Sequence, residues 1–274
     1  MTNETFSFQR FWNYFKYDLT QLWRHNGLAV VMLGFISLIV YLVWVIFSVI
    51  FTGSWNAPGI EARIVVFFIG WIILVLGMTR TYGYLTQKRA GSAWLMVPAS
   101  ALEKCISMLI ITLILMPLAF FASYMLIDGA LALIDPTVGK AILASSGDLM
   151  TFVNHALEAS AQKGVEFNLK LMAFPLILQC MYNILYFLFC GVIFKKWKLA
   201  GAFAILVGIG MVSSLLFSTL ALHGWAQRLE LVTHDPLALQ SFVNASMNYG
   251  TAFNVLVFIG LAVGIYYRIK TLKH

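Results

Sequence analysis

The sequence predicts an all-α, polytopic integral membrane protein, and three observations carry that expectation. Of 274 residues, 61% are hydrophobic and only 11% charged, with a mean hydropathy of +0.86; an ordinary soluble domain carries roughly 25% charged residues. The apolar residues gather into six runs, each of the ~20 residues that cross a hydrocarbon core about 30 Å thick. The basic residues collect between alternate runs, as the positive-inside bias of membrane proteins requires. A soluble fold of this length would leave large apolar patches in water.

The runs fall at 28–51, 64–85, 106–133, 171–194, 199–222 and 249–267. Pro117 lies within the third, so a kink or a tilt is expected there. Arg80 sits near the inner end of the second and can snorkel to the interface. The fourth and fifth runs are separated only by Lys195, Lys196, Trp197 and Lys198, a charge density that forces an interfacial turn. With the N-terminus inside, 13 of the 18 lysines and arginines are cytoplasmic, and only Arg63, Lys140, Lys163, Lys170 and Arg228 fall outside. Eight of the 11 acidic residues lean the other way. Six spans with both termini cytoplasmic follow. The chain divides into an N-terminal segment, 1–27, and a six-helix transmembrane domain, 28–274.

Other classes are excluded by what the residues lack or where they stand. The net charge of +7 does not indicate nucleic acid, because no basic stripe interleaves with aromatic stacking positions. Cys105, Cys180 and Cys190 are too few and scattered for a disulfide framework. The first 26 residues have no uninterrupted apolar core and no small-residue cleavage site, so they do not read as a signal peptide. No phosphate-binding loop ending in Gly-Lys-Ser/Thr occurs, so ATP hydrolysis by that route is not expected of this chain. The histidines have no metal-ligand spacing, and no serine sits in a nucleophile elbow. Neither a catalytic site nor a cofactor is expected.

In the N-terminal segment, Phe8, Phe11, Trp12, Phe15, Leu19, Leu22 and Trp23 recur at three- and four-residue steps. At 100° per residue they fall within an arc of about 120°, opposite Arg10, Asn13, Lys16, Thr20, Gln21 and Arg24. This predicts an amphipathic helix suited to lie on the inner leaflet, either a simple anchor or packing helix, or an interface helix that leads into the first span and in which Phe11, Trp12, Phe15 and Trp23 also meet a cytoplasmic partner. The loop after the second run, 86–104, is the second informative segment. Ser100 and Glu103 have capping-box spacing and should start the third helix; Pro98 should stop any helix arriving before it. Between them, residues 93–97 form a short apolar turn preceded by Lys88 and Arg89. Trp94, Leu95 and Met96 read either as a knob that fills a groove on a soluble partner or as side chains dipping into the headgroups.

That loop also carries a resemblance. The string Lys88-Arg89-x-Gly91-Ser92-x2-Leu95-Met96-x-Pro98-Ala99-Ser100-x2-Glu103-Lys104 resembles the loop of the small membrane-spanning permease subunits of bacterial type-2 ABC exporters. The resemblance covers the whole chain in outline: lead helix, six spans, basic loop after the second. Its specific part is this one loop. It implies a coupling helix seated in a cleft of a separate ATP-binding cassette subunit, formed by Lys88, Arg89, Trp94, Leu95, Met96, Pro98, Ser100, Glu103 and Lys104. It also implies a homodimer or heterodimer of permeases in the bacterial inner membrane, with a substrate path between them. The sequence departs from the simplest family plan in its long outer loop, 134–170, where Leu149, Phe152, Val153, Ala156, Leu157 and Ser160 form a helical stripe. The outer segment 223–248 is expected to fold as short re-entrant helices.

Inside the fourth run, Gln179, Tyr182, Asn183 and Tyr186 are spaced i, i+3, i+4, i+7 and share one face. Amide and phenol groups at membrane depth point at protein or water rather than lipid tails. They are either hydrogen-bond glue between helices or part of a translocation path. Two functions from different classes are left: a permease subunit driven by a separate ATPase, and a membrane scaffold or assembly protein that transports nothing.

Overall fold

The computed structural model describes residues 6–86, 91, 94, 96–145, 147, 169–220 and 236–271, with backbone alone at 25–26, 169–173, 212–214, 216–220 and 236–247. Every regular element among them is helical. Helix α1 (Phe8–Leu22) passes through a π-helical turn, Trp23–Gly27, into α2 (Leu28–Gly34) and, after a break at Phe35, α3 (Ile36–Thr52). Gly53 ends α3 at φ 65°, a left-handed cap that costs glycine little. Helix α4 (Ile60–Thr81) is extended by a 3-10 turn, Gly83–Thr86. Helix α5 (Ala101–Ile110) continues through a second π turn, Ile111–Leu115, into α6 (Met116–Ile134). Then follow α7 (Leu169–Ile193), α8 (Lys198–Leu220) and α9 (Pro236–Thr271).

Among the described residues, five stretches are long and apolar enough to cross a membrane: Leu28–Thr52, Ile60–Thr86, Ala101–Ile134, Phe174–Ile193 and Asn248–Thr271. The remaining expected run, the fifth at 199–222, coincides with α8, a 23-residue helix whose described apolar part is Lys198–Met211. The irregularity expected at Pro117 is present. A proline has no N–H to give the carbonyl four residues earlier, and the π turn Ile111–Leu115 ends just before it, absorbing the mismatch by locally widening the helix. The turn forced by the lysines is also present, with Trp197 at φ 54° and Phe194 closing α7.

Contacts give the spans their relative directions. The first and third run parallel, since Gly34 lies against Ser123 and Tyr41 reaches Asp135. The second and third run antiparallel, since Arg63 meets Asp128 while Phe67 stacks near Phe120 and Tyr124. The fourth runs parallel to the second, with Gly191 against the Thr79 backbone, and parallel to the last, with Gln179 by Asn254 and Phe189 by Gly264. One hydrophobic core runs through these helices, built around Met78, Tyr82, Met108, Phe120, Tyr124, Leu185 and Ile265.

Helix α1 continues into the first span and packs beside α5, the packing alternative for the N-terminal segment. Its buried residues are Phe11, Tyr14, Asp18 and Leu22, a stripe rotated by roughly 70° from the centre of the apolar arc at 100° per residue. Phe8, Trp12 and Trp23 are exposed. One expectation is corrected, in the segment 223–248. Residues 223–235 lie outside the described residues, but from Pro236 the chain is one unbroken helix of 36 residues to Thr271. Residues 236–248 are therefore its opening turns and not a separate re-entrant helix. The stripe 149–160 lies outside the described residues.

Candidate functional site

At one end of the helix bundle, described residues of the loop 86–104, α1 and the start of α5 are tied into a single polar junction. Ser100 caps α5: its hydroxyl accepts from the Glu103 N–H at 3.2 Å, and the Glu103 carboxylate accepts from the Ser100 N–H at 2.8 Å. This capping box satisfies two backbone donors that a helix start leaves orphaned. The same carboxylate turns to α1. Arg10 donates from Nε at 2.8 Å to Oε2 and from Nη2 at 2.7 Å to Oε1, and the Ser7 N–H donates at 2.9 Å. One fully buried Glu103 thus fixes the starts of two helices at once.

Trp94 is the second tie. Its side chain is only 6% exposed. The indole Nε1 donates to the Tyr14 hydroxyl at 2.9 Å, and the Lys104 ammonium lies 4.6 Å from the ring centroid while donating to the Trp94 carbonyl at 3.0 Å. Trp94 is therefore not the outward-facing knob that the sequence suggests. An aromatic ring with one polar N–H is equally suited to a dry interior when a hydroxyl stands within reach, and Tyr14 supplies it. Lys104 is likewise turned inward, under the tryptophan. Among the loop's described residues, Met96, 82% exposed, and Pro98 face outward. Lys88, Arg89 and Leu95 lie outside the described residues.

Beneath this junction is a group that the sequence reading missed. Asp18, 3% exposed, accepts from Ser107 Oγ at 2.7 Å and Tyr82 Oη at 3.0 Å. Burial pushes its carboxyl above the ordinary aspartate value, and the two hydroxyls oppose the shift. Burial, and after it the nearby Asp18, raise the Tyr14 phenol as well. The signal was present: Tyr14 and Asp18 stand four residues apart between Phe11 and Leu22, so one face of α1 carries both polar and apolar groups. The turn after α7 belongs to the same end of the bundle, since Lys198 Nζ donates to the Gly83 carbonyl and to Thr86 Oγ1.

The other end of the bundle is clasped by acidic residues. Arg63 Nη1 donates to Asp128 Oδ1 at 2.7 Å, and Arg63 Nη2 to the carbonyls of Val138 and Lys140 at 3.1 and 3.0 Å. The Ile142 N–H donates to the second Asp128 oxygen at 2.7 Å. Both side chains of this ion pair are buried. Asp135 accepts from Tyr41 Oη at 2.6 Å, Trp55 Nε1 at 2.9 Å and Thr137, and these hydrogen bonds, Tyr41 first, hold its carboxyl below the usual range. A lone aspartate within an apolar run, Asp128, was the legible sign that an arginine must lie opposite it.

The polar stripe of the fourth span is spread over several neighbours. Asn254 Nδ2 donates to Gln179 Oε1 at 3.3 Å, and Tyr186 Oη donates to the Ala202 carbonyl at 2.7 Å. Tyr182 and Tyr186 are in ring contact, and Asn183 is half-buried. Gln179 thus joins α7 to α9, and Tyr186 joins α7 to α8, which is the glue alternative for these two residues. Of the four aromatic residues expected to form an interface on α1, Phe11 is buried and Phe15 half-buried, while Trp12 and Trp23 face outward.

No protein-family model, curated protein or solved structure matches this chain. Among the described residues the fold defines an all-helical chain with five helices long and apolar enough to span a membrane, the loop after the second of them tied to an N-terminal helix.

Proposed function

We propose that this chain is the membrane-spanning permease subunit of an ATP-driven exporter, coupled to a separate ATP-binding cassette subunit. In this reading α8 is the sixth span, both termini are cytoplasmic, and the subunit pairs with a second permease in the bacterial inner membrane. The observation that carries it is the junction around Glu103 and Trp94. A coupling element must be exposed at its tip and rigid at its root, so that a push from a partner moves a helix and not merely a loop. Here the tip is Met96, with Pro98 beside it. The root is Trp94, Lys104 and Glu103, bonded to α1 and to the first turn of the third span. Trp94 acts in this scheme as the loop's internal anchor, and Met96 takes the place of the contact side chain. A scaffold has no need for a rigid tip of this kind.

The test is co-purification of an ATPase in mild detergent at matched membrane expression. Met96→Glu leaves the fold intact and removes an apolar contact, so it should lower capture by on the order of thirtyfold, the ~2 kcal/mol typical of a buried anchor. Trp94→Phe deletes the hydrogen bond to Tyr14 and should loosen coupling, read as ATP turnover of the reconstituted pair, more than it lowers capture. If the wild type captures no ATPase, or Met96→Glu retains it in full, the exporter reading falls and the scaffold reading replaces it.

A further inference from the structure

Both π-helical turns among the described residues face one apolar groove of about 480 Å³. Trp23 and Gly27 of the first turn form one wall, and Ile111 and Leu115 of the second form part of the other. Met116 and Ala119 continue that wall beyond Leu115, and Leu19 and Thr20 of α1 close the end toward the polar junction. A π turn departs from regular helix at an energetic cost and is common where a helix is reshaped around a ligand. Two of them on opposite walls make a cleft that two regular helices would close. Its size lies within the roughly 300–1,000 Å³ of ligand-binding pockets, and Thr20 is the one hydroxyl in its lining.

Basic and aromatic residues flank the lining residue Thr20 along the helix. Lys16 of α1 lies four residues before it and Arg24 of the π turn four residues after, and both are exposed. The Lys16 ammonium is held 5.3 Å from the Trp12 ring centroid, and Trp12 and Trp23 are themselves exposed. Apolar length capped by tryptophan and two cations is the chemistry of an anionic phospholipid at a membrane interface. We propose that the groove between the two π turns is a binding site for one anionic phospholipid of the bilayer, with an acyl chain along Ile111, Leu115 and Ala119 and its phosphate at Lys16 and Arg24. The lipid fills the space between α1 and the third span and so becomes part of the joint that holds them. The proposal stands whether or not the chain couples to an ATPase.

The test uses the full chain in vesicles of phosphatidylcholine and phosphatidylglycerol at 3:1, each lipid supplied in turn with a photoactivatable acyl chain. Labelling by phosphatidylglycerol should concentrate on peptides 19–30 and 111–119. Lys16→Gln with Arg24→Gln should lower it on the order of fivefold per charge, with little change for phosphatidylcholine. Ala119→Phe, which fills the cleft and leaves the charges, should lower labelling by both lipids. Three outcomes overturn the proposal: equal labelling by the two lipids, labelling no denser than at outward-facing Ile50 or Leu126, or a Thr20→Cys disulfide between two copies, which would make a second copy the occupant.

Discussion

Asp18 shows at the level of one side chain how the polar junction is tuned. Its folded pKa lies above the ordinary 3.8 because burial outweighs the hydrogen bonds from Ser107 and Tyr82. The fold therefore favours the protonated form. That contribution is fully present below about 3.8 and is lost as the pH rises through the higher folded value. Asp18→Asn keeps a carbonyl for the two hydroxyls and removes the ionisation. The variant's advantage in thermal midpoint over the wild type should be largest near pH 7–8 and should shrink as the pH falls toward 4; a difference that stays constant across that range would sink the argument. Residues acting over a few positions were readable in advance. Ser100 and Glu103 announced their capping box because both partners lie within one helical turn. Trp94 was not readable, because its fate depends on Tyr14, 80 residues away, and hydropathy ranks an interior and a partner's groove alike. Glu103 was read as a cap and a contact, and its pairing with Arg10, 93 positions distant, had no local sign.

Among the elements, packing is decided where two backbones touch. A Cβ added at Gly191 would stand 2.5 Å from the Thr79 carbonyl oxygen, so α4 and α7 meet there at backbone distance. Gly260 has nothing within 4 Å of its added Cβ, whereas Gly264 faces the Phe189 ring. Gly191→Ala should accordingly cost about 1–3 kcal/mol, the usual range for overpacking. Gly260→Ala should be neutral or stabilise by up to about 1 kcal/mol through the unfolded state. Thermal unfolding in one detergent compares the pair, and similar midpoints for both variants would refute the close approach. Gly260 and Gly264 have the small-xxx-small spacing of a packing face, but among the described residues only the second meets a neighbour, because spacing identifies a face and not its partner. Pro117 was different. Its missing N–H is a local fact, and the disturbance it predicted appears as the π turn preceding it. The turn at Trp23–Gly27 is marked in the sequence only by the polar run Arg24-His25-Asn26 ahead of Gly27, which signals an interface and does not by itself specify a π turn.

For the molecule as a whole, hydropathy was enough to find five of the six expected spans among the described residues, because lipid demands length and apolarity from each helix separately. The order in which they pack was hidden, because lipid-facing and protein-facing apolar residues look the same in composition. Sidedness can be tested directly. Ser54, between the first two spans, and Met96 are both exposed. In a background with Cys105, Cys180 and Cys190 replaced, Ser54→Cys should react with an impermeant thiol reagent in intact cells, and Met96→Cys only after permeabilisation; the reverse pattern would invert the assignment. The buried pair of Arg63 and Asp128 bears on how the chain is made. The second span emerges from the ribosome carrying a guanidinium, 65 residues before its counter-ion is synthesised. Either charge alone in hydrocarbon is expensive, while the two together are neutral. The second and third spans are thus built to leave the insertion machinery as a hairpin, with Arg63 held at the water boundary until Asp128 arrives to escort it in.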